Sequence, residues 1–132
     1  DFHSFKERLP SLLSPRLRHL LTENVRVYQM GVALSGHNLE KAGRLLFDSH
    51  ASLRDDYQVS CPELDFLVEI ARAVPGVYGA RMTGGGFGGC IVVLLKREAK
   101  ESYLKALKPY KKRFGLGAES WEVLPSAGAR EI

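Results

Sequence analysis

The chain has 132 residues, of which 45% are hydrophobic and 26% charged, and its formal net charge is +4. That is the length of one domain with the composition of an ordinary globular chain, large enough to bury a core. The longest apolar run, Cys90 to Leu95, is far too short to span a membrane, and so mild a basic excess suits a phosphate-bearing ligand without requiring nucleic acid.

Two cysteines, Cys61 and Cys90, form no C-x-x-C pair, and no histidine stands at metal spacing. Reduced thiols in a cytoplasmic protein are therefore expected rather than a disulfide, and no metal-binding residue is assigned. The opening Asp-Phe-His-Ser-Phe lacks the basic and apolar regions of a signal peptide. It also lacks an initial Met, which suits a fragment or a processed chain.

In chain order, Leu17, Leu20, Leu21, Val25, Tyr28 and Val32 recur at helical spacing and predict a helix over 15–34. Ser35-Gly36-His37-Asn38 breaks it. A second helix carries Leu39, Ala42, Leu45, Leu46 and Ser49 on one face and runs down near Leu53. Asp55 to Val59 reads as a loop. Ser60-Cys-Pro-Glu63 has the form of a capping box, with Pro62 in the first turn, where its missing N–H is harmless. The third helix keeps Leu64, Leu67, Val68 and Ala71 together and stops at Pro75-Gly76.

Val77 to Met82 and Cys90 to Leu95 then read as strands. The second is apolar on both faces, which predicts an interior position in the sheet with Cys90 buried and inert. Arg97 to about Lys108 is helical, with Pro109 ending or kinking it, and Trp121 to Leu124 reads as a last strand. Helices and antiparallel strands in separate runs indicate an α+β fold. No internal repeat divides residues 1–132, so one domain is expected.

Between the two central strands lies Thr83-Gly-Gly-Gly-Phe-Gly-Gly89, in which five of the six residues after Thr83 are glycine. Gly84, Gly86 and Gly89 formally match G-x-G-x-x-G, but a strand follows rather than the helix a dinucleotide site needs. A phosphate loop of the Walker type needs Gly-Lys-Ser/Thr at its end, and Gly88-Gly89-Cys90 lacks it. Lys96 comes too soon to be the strand lysine of a protein kinase, and H-R-D and D-F-G are absent. A plain hairpin needs far fewer glycines. What remains is a backbone that approaches a ligand closely, with free N–H groups able to form an anion-binding concavity. The ligand-contacting candidates are thus Thr83, Gly84, Gly85, Gly86, Phe87, Gly88 and Gly89.

Gly79-Ala-Arg-Met-Thr-Gly-Gly-Gly-Phe-Gly-Gly-Cys90 resembles the third motif of the GHMP kinase superfamily in its galactokinase form. Ser49-His-Ala-Ser-Leu-Arg-Asp-Asp-Tyr-Gln-Val-Ser-Cys-Pro-Glu-Leu-Asp65 resembles the same subfamily, and the likeness runs from about Leu13 to Ala129. It implies the C-terminal half of a two-domain sugar kinase, with a ferredoxin-like antiparallel sheet and packed helices. It implies transfer of the ATP γ-phosphate to the C1 hydroxyl of galactose with Mg2+. It further implies that the glycine loop lies at the domain interface, beside the nucleotide phosphates and the sugar. The serine-rich phosphate loop, the galactose-contacting stretch, the catalytic base and the metal ligands of such kinases have no counterpart here, so no catalytic residue is assigned. The implied partners are galactose, ATP and an N-terminal kinase domain, with self-association through the face that domain would cover, and with neither nucleic acid nor membrane. A kinase for N-acetylgalactosamine or arabinose, or a non-catalytic module of the same fold, are the alternatives.

Other residues have their own expectations. Thr83 either offers its hydroxyl to the site or packs at a strand end. Arg81 is a phosphate clamp or, at least as well, an ion-pair partner across an interface. Phe87 is expected to act as a wedge seating the loop. His50 is expected to be hydrogen-bonded structure rather than a base. Asp55 and Asp56 are adjacent, so their side chains should diverge. Lys105, Lys108, Lys111, Lys112 and Arg113 should form a solvated face.

Overall fold

The computed structural model describes residues 10, 11, 13–124 and 127. The opening residues 1–9 and most of the C-terminal tail lie outside that set. The described chain runs through α1 (Leu13–Ser35), α2 (Leu39–Ser52), a π turn (Leu53–Tyr57), α3 (Pro62–Ala73), β1 (Val77–Thr83), β2 (Cys90–Leu95), a 3-10 turn (Arg97–Ala99), α4 (Lys100–Ala106) and α5 (Lys108–Phe114). It is α+β, with helices packed on an antiparallel β1–β2 hairpin.

The boundaries follow local chemistry. His37 takes the left-handed conformation (φ 52°) that closes α1, and Asn38 caps α2 by accepting from the Lys41 N–H at 2.9 Å. Before α3 the expected capping box does not form. Cys61 is the N-cap, and the Ser60 hydroxyl donates instead to Asp65 Oδ1 at 2.6 Å. That charge-assisted bond is strong and holds the Ser60 side chain toward Asp65 rather than over the Glu63 N–H. The Asp55–Val59 segment is not all loop, since its first half completes the π turn. Pro109 does break the next helix, because it cannot supply an N–H to the turn before it. It then sits in the first turn of α5.

Helix α2 meets strand β1 backbone to backbone. A Cβ on Gly43 would lie 1.9 Å from the Tyr78 carbonyl oxygen, and one on Gly79 would lie 2.0 Å from the Gly43 oxygen. The ladder is irregular between Val77 and Gly79, so Tyr78 is the extra residue of a bulge. Beyond that contact Ala80 packs with Val68, Ala71, Val74 and Tyr103, and Met82 packs with Leu53 and Leu64.

Two buried histidines join the layers. The Met82 N–H donates to His50 Nδ1 at 3.2 Å. The ring proton therefore sits on Nε2, which faces Asp65 Oδ1 at 3.2 Å. One imidazole thus ties α2 to both β1 and α3. Burial pushes its pKa down, against the pull of Asp65, with Arg54 lowering and Glu69 raising it more weakly. His19 on α1 pairs with Ser52 Oγ at 3.0 Å and stacks on Tyr57. Burial lowers its pKa as well, over the opposing effect of Glu23.

Two expectations fail. β2 is not an interior strand: β1 is its one neighbour among the described residues, Val92 is exposed, and Cys90 is exposed rather than buried. Its second apolar face is only partly covered: Leu94 packs on Ala33, Ala42 and Leu45, while Cys90 and Val92 stay exposed. Trp121 to Leu124 is not a strand, and Trp121 is 71% exposed. Glu122 pairs with Lys100 at the start of α4, so the segment is tied to a helix instead of a sheet edge.

Replacing Gly43 by Ala should force α2 off β1 and cost roughly 1–3 kcal/mol. Gly31→Ala in α1, where nothing lies within 4 Å, should instead stabilise by roughly 0.5–1 kcal/mol. Urea denaturation of both variants checks the contrast. A second expectation concerns pH. Both buried histidines have folded pKa values below the ordinary histidine value of 6.5. Their contribution is therefore complete above about pH 6.5 and is lost as pH falls through that value toward the folded pKa. The urea midpoint should be flat above about pH 7 and decline below about pH 6.5. His50→Gln should start lower and decline less steeply.

Candidate functional site

The glycine loop closes a regular ladder that ends at the pair Thr83↔Cys90. Thr83 is exposed at the strand end, so it does not pack inward. Gly84, Gly86, Gly88 and Gly89 have φ of 87°, 86°, 141° and 96°, values that side chains rarely adopt. Gly86 also lies on Val59, where a Cβ would come 2.2 Å from the carbonyl oxygen. Gly85 differs from the other four: its φ is outside the left-handed region and nothing lies within 4 Å of a Cβ built on it. Neither conformation nor packing within the described residues requires glycine there. The loop N–H groups of Gly84, Gly85, Gly86, Gly88 and Gly89 have no backbone acceptor among the described residues. Such groups, held on a rigid hairpin, can receive an anion.

The loop is seated by its backbone, not by its aromatic ring. The Phe87 N–H donates to the Val59 oxygen at 2.7 Å, while the Phe87 side chain is 76% exposed at φ 59°. The expected wedge is therefore absent, because the positive φ turns the ring outward. Arg81 is held away from a clamp role. Its Nη1 donates to Glu23 Oε1 at 3.0 Å and its Nε to the Met82 carbonyl at 2.9 Å. Burial raises the Glu23 pKa, but hydrogen bonds from Ser49 and Arg26 and the Arg26 and Arg81 charges outweigh it, and the carboxyl is held below its usual value.

The remaining candidates fall outside the loop. His50 lies beneath it, fully engaged in hydrogen bonds. Asp55 and Asp56 diverge as expected: Asp55 pairs with Arg54, and Asp56 with Arg18 and Ser52. The basic cluster is exposed on α4 and α5, except that Arg113 also stacks over Phe66. Among the described residues no group of three or more His, Cys, Asp and Glu is placed to hold a metal ion, and no helix is long and apolar enough to cross a membrane.

Helix α1 is turned the opposite way from its apolar periodicity. Leu20, Leu21, Val25, Tyr28 and Val32 are exposed, with Tyr28 at 75%. The inward face carries His19, Glu23, Arg26 and Ala33. Glu23 joins Ser49 and Arg81 across to α2 and β1. Sequence reasoning missed these inward residues, three of which are polar. Their signal was spacing: His19, Glu23, Arg26 and Ala33 also recur at helical intervals.

A family model described as GHMP kinases C terminal matches residues 30–112. Curated relatives named galactokinase, from Thermotoga petrophila and Thermotoga neapolitana, are 46% and 44% identical over 127 residues, which is 96% of this chain. The chain spans about a third of their length, 36%. The crystal structure of Lactococcus lactis galactokinase complexed with galactose matches with a TM-score of 0.80 at 40% identity, covering 88% of this chain and 31% of that one. The L. major mevalonate kinase in complex with R-mevalonate matches at 0.65 and 27%, covering 82% and 32%. With a C-terminal family model across most of its length and the same hairpin fold in two such kinases, the chain belongs to the GHMP kinases.

Proposed function

We propose that this chain is the C-terminal part of a galactokinase, a cytoplasmic enzyme that transfers the γ-phosphate of ATP to the C1 hydroxyl of galactose. Identity to galactokinases across 96% of the chain supports that choice over the mevalonate kinase likeness, which is weaker in both identity and superposition. In this reading Thr83 to Gly89 lies against the reacting phosphates or the sugar. One observation carries the loop assignment: Gly85, the loop glycine for which the chain has no internal need. A ligand pressed against its Cα supplies that need.

The residues present fit the phosphates of a nucleotide through the free loop N–H groups. For Mg2+, the described residues place no group of three or more His, Cys, Asp and Glu together, so no ligand is assigned to it here. In this reading the base and the metal ligands lie in parts of the kinase outside these 132 residues. Phosphoryl transfer rests on positioning and charge stabilisation, and this chain's share is positioning.

The outward apolar face of α1 is where the rest of the kinase docks. Its hydrophobic residues are contiguous along the helix, and a patch of that kind on an isolated chain self-associates. The 132-residue chain alone should phosphorylate no galactose in a coupled assay, and light scattering should show dimers or larger species. Turnover that survives repurification, or a strict monomer at high concentration, counts against this division of labour. In the complete enzyme Gly85→Val should leave the melting temperature nearly unchanged and lower kcat/KM roughly 100-fold, the scale expected of a displacement of about 1 Å. Gly86→Val should instead lower stability, because its Cβ meets Val59. Full activity in Gly85→Val removes the loop from the site.

A further inference from the structure

The glycine loop makes its backbone contact with the rest of the described chain at one place, the Val59 carbonyl. Val59 is the end of a braced strut. The Val59 N–H donates to the Leu53 carbonyl at 3.1 Å, and the Gln58 N–H donates to the same oxygen. Gln58 stands at φ 61°, an uncommon conformation for a side-chain-bearing residue that surrounding contacts must hold. Those contacts come from α1. Arg16 Nη2 donates to Gln58 Oε1 at 2.7 Å, and Nη1 donates to the Asp56 carbonyl at 3.2 Å. One guanidinium, whose planar fork favours two-point contacts, thus spans both sides of Tyr57.

We propose that Gln58 and Arg16 are positioning residues of the kinase, setting the height of the Val59 carbonyl and through it the place of the glycine loop against the ligand. This rests on the reading of the loop as a ligand surface. Arg16 and Gln58 touch no loop residue themselves. Their effect passes through the Val59 oxygen to the Phe87 N–H and the Gly86 Cα. The loop glycines have little intrinsic preference for one conformation, so an external seat is what selects one. Arg16 also lies on the helix whose outer face is given above to the rest of the kinase, so the seat is braced from the helix that docks.

The test uses the complete two-domain enzyme. Gln58→Leu keeps size and the positive-φ demand but removes the acceptor, and Gln58→Glu restores an acceptor of the same length. Gln58→Leu should lower kcat about 10-fold, a fraction of the loss expected for a displacement of about 1 Å. The KM for galactose should stay close to wild type. Hydrogen exchange of the Gly84–Gly89 peptide should quicken while β1 and β2 exchange as before, and Gln58→Glu should recover both readouts. Arg16→Met, which removes both bonds from the other side, should reproduce the Gln58→Leu signature and serves if that variant folds poorly. Lost activity with unchanged loop exchange overturns the proposal, as does faster loop exchange with unchanged kcat. In the latter case Gly85→Val, which leaves the strut intact, separates the causes: if it too is fully active, the loop reading fails, and if it is inactive, only the positioning role fails.

Discussion

The contact between Gly43 and Gly79 governs the geometry of everything downstream of it. Two backbones that touch without side chains between them bring α2 about as close to β1 as a helix can come. At that distance His50, two turns further along α2, reaches the Met82 N–H. A helix held farther out by a Cβ would leave that amide buried and unpaired, at a cost on the order of 1–3 kcal/mol. The same close approach brings Ser49 over β1, where it meets Glu23 and, through Glu23, Arg81. The polar inner face of α1 is thus satisfied because α2 sits low. Strand β1 is fixed at its far end just before the glycine loop begins, and the loop inherits a rigid base.

That arrangement explains which parts of the structure were legible in the sequence. Helix periods, the proline and glycine stops and the hairpin all depend on neighbours within a few residues, and they stand where the pattern put them except for α5, which carries the chain on past Pro109. The glycine loop was legible because five glycines in six positions exceed what a turn requires. What was illegible depends on a partner elsewhere. Leu20, Leu21, Val25 and Tyr28 announce an apolar stripe correctly, but periodicity cannot say whether the stripe meets this chain or another. The same holds for β2: two apolar faces predict two full covers, and on the second face the described residues cover Leu94 but leave Val92 and Cys90 exposed. Cys90 followed that strand into error. Ser60 failed as a cap because its hydroxyl is held by Asp65, five residues on, a partner that no capping pattern includes. Trp121 to Leu124 has strand composition but no edge to pair with.

The five glycines, taken together, looked like one signal. They separate into three. Gly84, Gly88 and Gly89 answer a conformational demand in open space, Gly86 answers both conformation and the Val59 seat, and Gly85 answers neither. Only the last speaks for a ligand by itself, since a left-handed φ or a tight seat would be needed in any hairpin of this shape. Arg81, the tempting cation of the motif, is spent on Glu23. In the proposed reading, charge stabilisation from this chain would come from backbone N–H groups, which are fixed in direction and insensitive to pH.

Helix α1 is amphipathic in two senses at once. Its inner face carries Glu23, Arg26 and Arg16, which find charged or hydrogen-bonded partners, beside the packed Met30 and Ala33, while most of its large apolar residues face outward. Inside-out patterning is unstable for a free domain, because the hydrophobic contribution of the outer face is gained only when something covers it. It is economical for a part of a larger protein. The inner contacts are directional and fix register, and the outer contact is area-driven and supplies affinity. A helix built this way transmits position: whatever packs on its outer face also sets, through Arg16 and Glu23, where the hairpin and its loop stand. In the proposed reading the outer side of α1 is the docking surface, and its inner side is linked to the candidate ligand loop through Arg16, Gln58 and Val59.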